Sequence, residues 1–355
     1  MAFEQQILER IETLLHGNGI TDIRRSMRLI SAWVNDLVEG QDYTVPLFIS
    51  FLPYEGETRG EWQLQILFTL SKNISAGHFE LLTRKLEKLN NLADIGSLLL
   101  LPEGEIVYAA RLLLPEDDPE AAICSISETL QLMLLFLMDY YVYILALSAA
   151  PGQLELARYQ QQWGCTEDDT WQPLAIPEAL QTQFREYLSE ECERVETAEY
   201  GITFLAAHIA GEDDWKAAGV LRFQMNQLPG EMCIQRMQLE LLVLDDIPEE
   251  HLAECRGRMQ ELSRQTAFGY LAVNEKRQIL YCYSCPVSVN QHERTRQIFE
   301  AVIYEMVLFL DYFYPYLLTS ALNPERMTLG DYITRLTELA GTQQDKQISD
   351  EGQRL

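Results

Sequence analysis

Leu134–Ala150 reads LLFLMDYYVYILALSAA, and Met306–Leu322 reads MVLFLDYFYPYLLTSAL. At an offset of 172 the pairs Glu128/Glu300, Asp139/Asp311, Tyr140/Tyr312, Leu145/Leu317, Ser148/Ser320 and Ala149/Ala321 are identical. Each stretch is apolar and aromatic nearly all round, the pattern of a helix covered on most sides. The pair predicts one long helix closing each of two related halves.

A membrane span is the competing reading, because the run from Leu132 to Ala150 carries one charge. Asp139 sits at its centre, where a carboxylate costs roughly 2.5–3.5 kcal/mol. The second copy holds Glu300, Glu305, Asp311 and Pro315. The flank Glu116-Asp117-Asp118-Pro119-Glu120 is acidic, with no basic cluster to set an orientation. The expectation is a buried helix in a soluble protein.

Working outward, Phe3–Leu15 has helical apolar spacing, and a second helix is expected from Thr21-Asp22 to Gly40 on Ile23, Met27, Ile30, Val34 and Leu37. Strands are expected over Thr44–Leu52 and Glu61–Leu70, split by a polar turn at Gly56–Gly60. Ser75–Leu92 returns to a helical period, with Ser75 as an N-cap. Ile95–Leu101 and Glu105–Leu113 make a hairpin before the long helix, whose acidic start suits the helix dipole.

The second half repeats this order. Helices are expected near Pro177–Cys192 and Ala198–Ala210, strands over Gly219–Gln227 and Met232–Leu244, and a helix over Pro248–Gln265. Strands Phe268–Val273 and Gln278–Cys285 then lead into a long helix from Gln291. At an offset of 173 the matches include Ile74/Ile247, His78/His251, Gly96/Gly269, Leu98/Leu271 and Tyr108/Tyr281. A change from 173 to 172 implies a one-residue deletion just before the long helix. Self-similarity over this length predicts an α+β fold of two tandem copies, each a helix–strands–helix–strands–long helix unit with an antiparallel sheet packed on helices. Repeat one spans 1–150, a linker 151–176, repeat two 177–322, a last helix 323–340 and a polar tail 341–355.

The element order, with Leu98, Ile106-Val107-Tyr108 and Asp139-Tyr140-Tyr141, resembles the type III secretion chaperone-like fold. That fold includes the YbjN-like bacterial proteins described as sensory transduction regulators. The resemblance covers about 300 residues and implies a non-enzymatic, chaperone-like interaction role. The secretion chaperones are short single domains that dimerise, whereas this chain is a tandem, so no functional residue carries over.

Charge narrows the partners. The chain has 355 residues and a net charge of −27, with −14 in residues 1–170 and −13 in 171–355. Nucleic acid and anionic membranes would be repelled. Basic or amphipathic polypeptides would be attracted. Seven cysteines and a charged, amphipathic N-terminus give the expectation of a cytoplasmic protein with reduced thiols.

Little chemistry stands out. Cys282-Tyr283-Ser284-Cys285 with His251 and Cys255 outlines a zinc set, but residues i and i+3 of a strand face opposite sides. Repeat one has Ala109, Leu112 and Leu82 in place of the three thiols, so they read as apolar slots. His78 and His251 recur at one helix start and are kept as binding candidates. Asp139 and Asp311 are the other candidates, expected to be buried against a tyrosine or arginine donor. The acid–tryptophan clusters at Asp168-Asp169 and Asp213-Asp214 read as loop and cap residues. No phosphate loop, metalloprotease motif or nucleophile elbow is present, so no catalytic residue, cofactor or metal is nominated. Two readings remain. One is a protein- or peptide-binding module acting as a single-chain pseudo-dimer or homodimer. The other is a small-molecule sensor with a cavity under the long helices.

Overall fold

The computed structural model describes residues 3–20, 22–35, 37–38, 42–52, 61–163, 171–198, 200–207, 209, 215–227 and 233–338. The expected turn at Gly56–Gly60, the acid pairs at 168–169 and 213–214, and the tail from Gly341 lie outside them. The first half runs α1 (Phe3–Gly17), β1 (Arg24–Arg25), β2 (Leu29–Val34), β3 (Val45–Leu52), β4 (Glu61–Ser71), α2 (Phe79–Asn90), β5 (Ser97–Leu100), β6 (Ile106–Pro115), α3 (Pro119–Ala149) and α4 (Leu156–Trp163). A short β7 (Gln172–Pro173) precedes α5 (Glu178–Glu191), β8 (Cys192–Ala198), β9 (Gly201–Ala206), β10 (Ala217–Gln227), β11 (Cys233–Leu244), α6 (Leu252–Leu262), β12 (Tyr270–Val273), β13 (Ile279–Pro286) and α7 (His292–Leu322). Residues 329–338 are helical.

The two sheets have the same strand order, β1-β2-β3-β4-β6-β5 and β8-β9-β10-β11-β13-β12, antiparallel throughout. Each buries one face against its helices, giving two cores. The fold is α+β, in two tandem copies.

The second expected helix is a hairpin in both copies. Ile30, Ala32 and Val34 are buried while Ser31 and Trp33 are not, which is a period of two. Ile202, Phe204 and Ala206 alternate in the same way. Five apolar residues over 23–37 also fit a helix, but Met27 is 84% exposed and carries none of the core. The long-range pairing of β2 with β3 overrides the local pattern.

The register of the long helices also differs from the expectation. The Tyr108 ring packs against Phe136 at 5.1 Å and Tyr281 against Phe309 at 5.2 Å, both at an offset of 173. The C-caps Ala150 and Asn323 share one backbone conformation at the same offset. Eight helix positions are identical in that register, among them Phe136/Phe309, Tyr141/Tyr314 and Tyr143/Tyr316. There is no deletion before the long helix, and Asp139 aligns with Tyr312, not with Asp311. The offset falls to 172 only in β1–β3, where Phe204 and Gly219 pair as Ala32 and Leu47 do.

The repeat extends past the long helix. Tyr159 of α4 donates to the Asp139 carbonyl at 2.8 Å, and Tyr332 donates to the Tyr312 carbonyl at 2.6 Å. Lys85 donates to the Leu154 carbonyl at 2.6 Å, and Arg258 donates to that of Met327. The stretch read as a linker therefore holds repeat one's copy of the final helix, each clasping its own long helix.

Two glycines mark where backbone approaches backbone. Gly96 and Gly269 both have φ +71°, and a Cβ there would lie 2.5 Å from the Ala109 carbonyl oxygen or 2.2 Å from that of Cys282. Only glycine fits such a position. Gly219 has a different reason, since its missing side chain leaves room for the Phe204 ring, 2.1 Å from where a Cβ would stand. Repeat one fills the same space with Ala32 and Leu47.

Candidate functional site

The two repeats meet through α2 and α6 and through the outer faces of their sheet edges. Their bonds are reciprocal. Glu87 accepts the backbone N–H of Val273, and its counterpart Gln260 accepts that of Leu100 at 3.2 Å. Arg236 donates to the Asp94 carbonyl at 2.9 Å, and the Gln63 amide donates to the Ala267 carbonyl at 2.5 Å. Ser284 adds a bond to the Asp94 carbonyl at 3.0 Å, while Arg111 donates to that of Thr266. Leu113 packs into the second core and Ile234 into the first. Position i meeting j while j meets i is the signature of an isologous contact.

One side of this seam departs from the symmetry. A cleft of about 330 Å³ opens between the end of α2 and the outer face of β11–β13. Glu87 and Arg256 meet on its wall at 2.7 Å, with exposures of 11% and 15%. Their counterparts are the neutral Gln260 and Thr83. Burial pushes the Glu87 carboxyl up to about 8, only partly offset by Arg256 and the Val273 N–H. Deeper in, Asp94 takes Arg236 at 3.0 Å and the Trp171 indole N–H at 2.5 Å, and the guanidinium lies 3.9 Å over that ring. Glu240 pairs with Arg222 at 3.0 Å, where repeat one has Leu67 and Ser50. Glu87, Asp94 and Glu240 are each matched to an arginine, which fits a polar seam better than a poised acid. The mate groove between α2 and α6, about 660 Å³, is lined by Thr83, Leu100, Gly257 and Gln260.

The sequence candidates are dispersed. His78 and His251 end the one-turn 3₁₀ segments before α2 and α6 and stand at the N-caps of those helices, half-exposed and with matching backbone angles. Cys285 is buried, its thiol pushed up to about 12 by desolvation. Cys282 points to the opposite face of β13 among the cleft residues. Asp139 and Asp311 are exposed, not buried as expected. The reason lies in the helices themselves.

Both long helices are two-faced. By length and composition α3 and α7 could cross a membrane, yet half of each most apolar window is buried in the fold. The inner face packs on the sheet. From Gln131 in α3 and Tyr304 in α7 onward, the same nine positions are not fully buried in either copy, led by Met138 at 57% exposure, Tyr304 at 37%, Tyr312 at 55% and Leu322 at 57%. Six of them, Gln131, Leu135, Met138, Val142, Leu145 and Ala149, follow the alternating three–four spacing of a helix–helix seam. Tyr304, Leu308, Asp311, Pro315, Leu318 and Leu322 are their counterparts. A second apolar stripe, not full burial, is why these sequences read as apolar all round. That stripe could have been found in the sequence as the period left over once the core face is removed.

Comparison with protein-family models, with curated proteins and with solved structures finds no match.

Proposed function

We propose that the chain is a non-enzymatic protein-interaction module of chaperone-like build, an intramolecular pseudo-dimer working in the cytoplasm. The observation that carries this reading is the outer apolar stripe present on both long helices. Large exposed apolar patches on a soluble chain mark interaction sites. The reciprocal seam supports the pseudo-dimer, because its bonds are those of two equivalent subunits now joined in one chain. A photo-cross-linking residue placed at Met138 or Leu322 in the native cell tests it. Discrete adducts with defined polypeptides are expected, absent when the probe sits at exposed Lys276. Equal background at all three positions would overturn the reading.

A ligand-sensing role draws its support from the charged cleft at the seam, which lies between the repeats and not under the long helices. A small molecule that protects the protein against thermal unfolding in wild type but not in Arg256→Ala would favour it.

A further inference from the structure

Resting on the interaction reading, we infer that the outer stripe of the long helices takes one class of partner, a basic amphipathic α-helix from another protein. The shape argument is the spacing. Along α3 the outer positions Leu135, Met138, Val142 and Leu145 recur at three–four spacing, Met138 exposed and the other three half-buried with one side against the core. Along α7 Leu308, Asp311, Pro315, Leu318 and Leu322 recur in the same way, which is how one helix presents itself to another. The charge argument selects the partner. From Pro119 to Ala149 the charged side chains are Glu120, Glu128 and Asp139, with no Lys, Arg or His. From Gln297 to Leu322 they are Glu300, Glu305 and Asp311, again with no cation.

A second copy is a poor occupant. It would bring a further charge of −27 against the first and set acidic helix faces together. An anionic bilayer is repelled for the same reason. A helix carrying Lys or Arg beside an apolar seam meets both requirements. Asp139, exposed beside the α3 stripe, and Asp311, exposed within the α7 stripe, then stand where the partner's cations would lie.

The test uses the full chain and a labelled synthetic peptide of about three heptads, with a Leu/Ile seam and Lys flanks, against a twin with Glu flanks. Fluorescence anisotropy is expected to show the Lys peptide binding at least tenfold tighter, and weakening as salt rises from 50 to 500 mM. Met138→Ser and Leu322→Ser together should reduce affinity at least tenfold, and Asp139→Lys should reduce it further. All three sites are exposed, so melting temperatures should stay at wild type. Trp33→Ser, on the outer face of the first sheet, should leave binding unchanged. Equal binding of the Glu twin, or binding indifferent to the stripe variants, overturns the inference. So does a dimer in sedimentation that Met138→Ser dissociates, or binding to neutral phosphatidylcholine vesicles in place of the peptide. Cross-links to polypeptides from Met138 combined with no peptide binding would sink this partner class alone. Absence of both would sink the interaction reading as well.

Discussion

Glu87 and Arg256 face each other at 2.7 Å across the seam, where the matching pair of the other repeat is Gln260 and Thr83. Burial holds the Glu87 carboxyl at about 8, above its ordinary 4.5. A raised carboxyl favours the protonated form in the fold, so its contribution to stability is complete below about pH 4.5 and is lost as pH rises through about 8. Glu87→Gln copies Gln260, keeping an acceptor for Val273 while removing the titration. The stability of wild type relative to this variant should fall by about 1.4 kcal/mol for each pH unit crossed in that window. Urea unfolding of both proteins at pH 5, 6.5 and 8.5 measures it. A difference that does not change with pH would mean that Glu87 stays ionised throughout.

Asp139 and Asp311 are expected to contribute little to folding. Both lie on the exposed side of their helices, so Asp139→Ala and Asp311→Ala should each change stability by no more than about 0.5 kcal/mol. Chemical denaturation checks this, and a loss of 2 kcal/mol or more would return them to the core.

The clasp helices are expected to differ in strength. Tyr159 is 2% exposed and packs on Tyr143 at 5.0 Å, whereas the Tyr332 bond lies at the surface. Tyr159→Phe should cost about 0.5–1.5 kcal/mol, the usual worth of one internal hydrogen bond, and Tyr332→Phe less. Thermal melts of the two variants decide the order.

Thiol reactivity should follow burial. Cys124 and Cys233 are exposed, while Cys255 and Cys285 are buried with their thiols pushed up to about 12. Among the described cysteines, an aromatic disulfide reagent at pH 8 should modify Cys233 first. Cys124 should follow more slowly, its thiol raised by partial burial and by Glu128, and the buried pair should react only on unfolding. Mass mapping of the labelled peptides reads the order directly.

The sequence made the strongly periodic elements legible. α1, α2, α6 and the hairpins following α2 and α6 stand where apolar spacing puts them, because each buries one face by its own period. The β1–β2 and β8–β9 hairpins were not legible, since Ile23, Met27, Ile30, Val34 and Leu37 satisfy two periods and only pairing with β3 chooses. The helix register was misread for a related reason. Segments made of Leu, Tyr and Ala match themselves in several alignments, and only ring contacts such as Tyr281 on Phe309 separate 172 from 173. The cleft was beyond reach, because Asp94 and Arg236 are brought together from 142 positions apart.

The exchange of bulk between Phe204–Gly219 and Ala32–Leu47 has a consequence for how such a chain can change. The second copy cannot take the first copy's residue alone here, since leucine at 219 would strike the Phe204 ring. The two halves have diverged by linked substitutions, so recombination into the second repeat is viable only when β2 and β3 travel together.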